Sequence, residues 1–75
     1  MDLQTEQTVG ERRVRTSFNV SNDEQIRSTV DIIKQKSAEL INICESLKEK
    51  DPRLSSLAQT SFEEGCMWAV KAATA

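Results

Sequence analysis

The chain has 75 residues, a formal net charge of −2, two cysteines and no histidine. That length allows one small domain at most, which alone buries only roughly 60 % of its unfolded surface and is marginally stable; the two thiols supply neither a disulfide framework nor enough ligands for a Cys/His metal site. The acidic balance argues against a protein that lives on long DNA or RNA, and leaves room for a small anionic ligand held by a few placed cations.

Apolar runs are only a few residues long, so no membrane span is expected. Residues 1–10 are acidic and polar, unlike a signal peptide, and carry no periodicity, so they are expected to be disordered or loosely packed. Two unpaired thiols without an export signal suggest a reducing cytosol. Residues 11–21 read as an extended strap lying against helices. Within it Arg12, Arg13 and Arg15 precede a single aromatic, Phe18. Guanidinium forks fit phosphates and an aromatic face stacks on a base, so the segment suits nucleotide recognition. It equally suits a solvated arm whose one apolar residue tucks against a helix, the commoner outcome for a short basic motif.

A helix is expected over 22–49. Ser21 with Glu24 matches a capping box, and Val20 is placed to staple weakly onto Gln25 or Ile26. Ile26, Val30, Ile33, Ser37, Leu40, Cys44 and Leu47 form a heptad seam broken only by Ser37. Ile32 and Ile43 lie off that seam and Ile41 beside it, so the helix should have more than one partner. The turn KEKDPRL then supplies Asp51 as an N-cap and Pro52 at the first helical position. So short a connection makes the two helices antiparallel neighbours.

The second helix is expected over 52–73, with Leu54, Leu57, Ala58, Phe62, Gly65, Cys66, Ala69, Ala72 and Ala73 facing inward. Met67, Trp68 and Val70 add bulk on other faces, and a hairpin this small that is apolar nearly all round is not a monomer surface. Gly65–Ala73 should pack between subunits, with Trp68 an interface anchor. Mid-helix Gly65 costs up to ~1 kcal/mol, which close packing or ligand approach would offset. The fold class expected for residues 11–75 is thus all-α: an antiparallel two-helix hairpin with an N-terminal strap, assembling into a helical oligomer.

Little supports an enzyme. There is no histidine or tyrosine. Glu63 and Glu64 are adjacent on a helix and point about 100° apart, poor geometry for a paired acid and base. Glu63 is more simply solvated, or a partner for Lys71 or an arginine. Cys44 and Cys66 lie on apolar stripes, where cysteine is usually inert.

The combination of RTSFN-x-SND before the first helix, IIKQKSAELI along it and FEEGCMWAVKAAT at the end of the second resembles the phage anti-CBASS cyclic-oligonucleotide sponges. CBASS is the bacterial defence in which a cyclase makes cyclic di- or trinucleotides that switch on a killing effector. The resemblance covers about residues 11–75, and MWAVKAAT, 67–74, is its most specific piece. It implies a helical-hairpin protomer in a homohexamer, a trimer of dimers, acting without a cofactor in the cytoplasm of the infected bacterial host. It implies sequestration, without cleavage, of cyclic dinucleotides such as cyclic GMP-AMP; some members also hold cyclic trinucleotides on the threefold axis. The strap aromatic that stacks on a base maps onto Phe18, where similar members often carry tyrosine, so a hydroxyl is lost here. The phosphate-contacting lysine maps onto Lys34, with Lys36 second, and Arg15 and Arg12 are further phosphate candidates. Arg27, Lys71 or an arm arginine would line a trinucleotide site.

Symmetry fits this mapping. A cyclic dinucleotide has two bases and two phosphates, and an isologous dimer presents one Phe18 and one Lys34 from each side. The competing reading is a small oligomeric module for protein–protein interaction, in which Phe18 would pack in the core.

Overall fold

The computed structural model describes residues 6–19 and 21–75; the expectations for residues 1–5 and for Val20 lie outside them. Among the described residues the chain is all-helical: α1 (Val9–Val14), α2 (Glu24–Ser46), a 3-10 turn (Leu47–Glu49) and α3 (Pro52–Ala73).

The first helix corrects the expected strap. Val9–Val14 is helical and residues 15–17 form a turn, so the first half of the expected strap is not extended. The cause is a capping box: the Thr8 hydroxyl accepts from the Glu11 N–H (3.1 Å), and the Glu11 carboxylate accepts from the Thr8 N–H (2.9 Å). The helix closes where Arg15 turns left-handed (φ 59°, ψ 60°) and Thr16 N–H reaches back to Glu11 O at 3.1 Å. Gly10 then allows α1 to press onto α2, since a Cβ there would stand 2.1 Å from the Ala38 carbonyl oxygen. Asn42 secures the contact, accepting from Gly10 N–H at 2.8 Å and donating to Thr8 Oγ1 at 3.0 Å.

The α2 cap is not the expected Ser21/Glu24 box. Asp23 caps the helix, accepting from Gln25 N–H (2.9 Å) and Ile26 N–H (3.1 Å), while Ser21 Oγ accepts from Asp23 N–H (3.3 Å). Asp23 sits next to the first helical residue, where a carboxylate meets the free N–H groups best. At the other turn Asp51 accepts from Leu54 N–H at 2.9 Å with Pro52 opening α3. Residues pair across the hairpin in opposite order: Ser55 donates to the Cys44 carbonyl, Gln59 to the Ile41 carbonyl. The two long helices are therefore antiparallel.

The core joins Val14, Ala38, Ile41 and Cys66, with Val9, Ile33, Phe62 and Val70 packed against it. The buried face of α2 is Val30, Lys34, Ala38, Ile41 and Cys44; the seam members Leu40 and Leu47 are exposed. On α3 the interior positions are Ser55, Gln59 and Cys66, whereas Leu54 and Leu57 face outward and nothing lies within 4 Å of a Cβ at Gly65. The reason is polar: Ser55 and Gln59 satisfy α2 carbonyls across a tight interface, and the leucines lie on the opposite side. With extents of 42 × 35 × 12 Å the protomer is about one helix thick, so its outer faces have no partner within the chain.

Candidate ligand-binding site

Arg15 begins the strap that leads to α2, and Phe18 N–H returns to the Arg15 carbonyl at 2.9 Å in a tight turn. Lys34, 7 % exposed, reaches out of α2 beneath this turn. Its ammonium donates to the Arg15 carbonyl at 2.9 Å and to the Phe18 carbonyl, and lies 5.5 Å from the centre of the Phe18 ring. The ring itself remains 55 % exposed. A buried ammonium with two carbonyl acceptors keeps a third N–H for another partner.

Two cavities flank this arrangement and share Lys34, Val70 and Thr74 as a common wall. The first, about 340 Å³, is largely apolar, with Phe18, Ile26 and Val30 around it and Asn19 and Ser21 at its polar side. The second, about 390 Å³, holds Arg13, Arg15, Lys34 and Lys71 against one carboxylate, Glu63. Arg13 engages that carboxylate at 2.7 Å, so the remaining charge of the lining is cationic. One largely apolar cavity beside one cationic cavity suits a base and a phosphate.

The structure thus brings together Phe18, Lys34, Arg15 and Lys71 of the residues singled out in the sequence. Arg27 stands beside them but is engaged with the strap, donating to the carbonyls of Asn19 (2.9 Å) and Ser21 (3.1 Å). Arg12 is exposed and donates to the Gln7 carbonyl at 3.0 Å. Lys36 is two residues beyond Lys34 and so on another face of α2, in a shallow depression with Asp31, Ile32 and Glu39. Glu63 has an arginine partner, as one of the sequence alternatives held, and it is Arg13. Several lining residues were not singled out for the site by the sequence, among them Asn19, Ser21, Val70 and Thr74. Val70 and Thr74 were findable as an i, i+4 pair on one face of the second helix; Asn19 gave no signal beyond turn propensity, and Ser21 none beyond helix capping.

Among the described residues no group of His, Cys, Asp and Glu is arranged to hold a metal ion, and no helix is long and apolar enough to cross a membrane. Comparison with curated proteins and with solved structures returned no match. The family model described as Acb2/Tad1, hairpin domain, matches residues 11–74, which takes in the strap, both long helices and every residue of the two cavities. The chain therefore belongs to the Acb2/Tad1 hairpin-domain family, the anti-CBASS cyclic-oligonucleotide sponges.

Proposed function

We propose that this protein is a phage anti-defence sponge that binds cyclic dinucleotides such as cyclic GMP-AMP and releases them unchanged, acting in the cytoplasm of an infected bacterium. The observation that carries this reading is the placement of Phe18. Its ring is exposed and borders an apolar cavity, with a buried lysine at its face and a cationic cavity next door. A base stacks on Phe18, and the adjoining phosphodiester meets Lys34 and Arg15. Had the chain been a protein-interaction module, this ring would be expected inside the core.

One protomer offers one stacking ring and a cyclic dinucleotide has two bases, so the complete site belongs to a twofold pair of chains. Assembly beyond the monomer, as a trimer of dimers, is supported by the one-helix thickness and by the outward Ile43, Leu54, Leu57, Met67 and Trp68. Arg27, Lys71 or an arm arginine remains the candidate for a trinucleotide site, and no metal or cofactor is required because sequestration involves no bond breaking. Calorimetric titration with cyclic GMP-AMP, followed by heating and recovery of the ligand, tests the reading. Tight binding of one ligand per two chains with intact ligand released is the expected result; absence of binding to cyclic di- and trinucleotides refutes it.

A further inference from the structure

We infer that Arg27 is a positioning residue for the stacking site: with Asn19 it fastens the strap to α2 and so presets Phe18, without itself touching the ligand. This rests on the sponge reading above. The Arg27 Nη1 group donates to the carbonyls of Asn19 and Ser21. Asn19 returns the contact, its Nδ2 donating to the Arg27 carbonyl (3.0 Å) and to Asp31 Oδ1 (2.9 Å), its Oδ1 accepting from Ser21 N–H (3.3 Å).

Arg27, Asp31 and Lys34 follow at spacings of four and three, so they share one side of α2. Lys34 holds the carbonyls of Arg15 and Phe18, and Arg27 holds those of Asn19 and Ser21. The Phe18 ring is therefore gripped through its backbone from both sides, which explains how it stays in place while more than half exposed. A cation in the first turn of a helix runs against the helix dipole. The strap carbonyls offset that cost. Arginine suits the task because its N–H groups are fixed in one plane, a geometry lysine does not reproduce. A strap held in its binding conformation spares the ligand the ordering entropy it would otherwise meet on arrival.

Two measurements on Arg27→Ala, Arg27→Lys and Asn19→Ala test this. Amide hydrogen exchange of the ligand-free protein over residues 16–19 and 21–23 reads the clamp itself. Calorimetry with cyclic GMP-AMP at several salt concentrations reads its consequence. Strap exchange should rise in all three variants, and affinity should fall about tenfold, the scale of a lost charge-assisted hydrogen bond. The slope of log Kd against log salt should stay unchanged. A slope reduced by roughly one would mark a direct phosphate contact and overturn the positioning role. Unchanged strap exchange would overturn it as well. Asn19→Ala carries the test should Arg27→Ala fail to fold. If the wild-type protein binds no cyclic dinucleotide, the sponge reading falls, while the exchange data still decide whether Arg27 sets the strap.

Discussion

Lys34 holds Phe18 in two ways at once: its ammonium donates a hydrogen bond to the Phe18 carbonyl and stands 5.5 Å from the centre of the same residue's ring. One buried cation thus shapes the backbone around Phe18 and places a positive charge beside its exposed ring. Lys34→Met keeps most of the aliphatic stem but removes both effects. Affinity for cyclic GMP-AMP should drop by ~100-fold, with loss of a hydrogen bond to a charged group and of one phosphate partner together. Unlike Arg27→Ala, this variant should also flatten the salt dependence of binding. Retained affinity in Lys34→Met would remove the lysine from the site.

Phe18→Ala should weaken binding by ~1–3 kcal/mol for each base stacked, while leaving the assembly intact by analytical ultracentrifugation. The ring is exposed in the protomer, so little core packing is lost. Phe18→Tyr retains the face and should bind. Disassembly on Phe18→Ala would turn the reading toward a protein-interaction module.

Gly10→Ala probes the docking of α1, which delivers Arg13 and Arg15 to the cationic cavity. The added methyl would meet the Ala38 backbone, which has no freedom to rotate away as a side chain would. A destabilisation of about 1–3 kcal/mol is expected from overpacking, visible as a lowered Tm. An unchanged Tm would mean that α1 is only loosely applied to α2.

How far the sequence discloses this fold depends on which chemistry signals each feature. Asp51 and Pro52 mark the hairpin turn because a cap and a missing N–H act locally. The helix at Val9–Val14 also had a local signal, Thr8 and Glu11 at capping-box spacing, but Gly10 behind it reads as a breaker until Ala38 is seen against it. The inner face of α3 was hidden for a different reason. Apolar stripes mark every buried face alike, whether closed by the same chain or left open by it, so Leu54 and Leu57 read as interior. Ser55 and Gln59 occupy the interior instead because they bond α2 carbonyls that are supplied only by the tertiary structure. The family resemblance pointed to Phe18 and Lys34, and the structure sets the two side by side. Arg27's grip on the strap was not, because it depends on where backbone carbonyls point.

Gln59 offers a test of the polar interior through pH. It is 1 % exposed and ties the three helices together: its amide donates to the Ile41 carbonyl (3.0 Å) and to Glu45 Oε1 (2.8 Å), and accepts from Arg13 Nη1 (3.3 Å). The hydrogen bond from Gln59, and then that from Lys48, holds the Glu45 carboxyl below its ordinary value of 4.5. A carboxyl with a lowered native pKa binds fewer protons folded than unfolded. Its contribution to stability is present above 4.5 and is lost as pH falls from there through the lowered native value. Gln59→Leu removes the largest cause of that shift and strips Arg13 and Ile41 of a buried partner. Unfolding free energy at neutral pH should fall by about 1–3 kcal/mol. Urea denaturation at neutral pH and at pH below 4.5 should then show a smaller acid loss in Gln59→Leu than in the wild type. Identical pH profiles would mean that Glu45 does not depend on Gln59 in solution, and that the polar link between α2 and α3 is weaker than its geometry suggests.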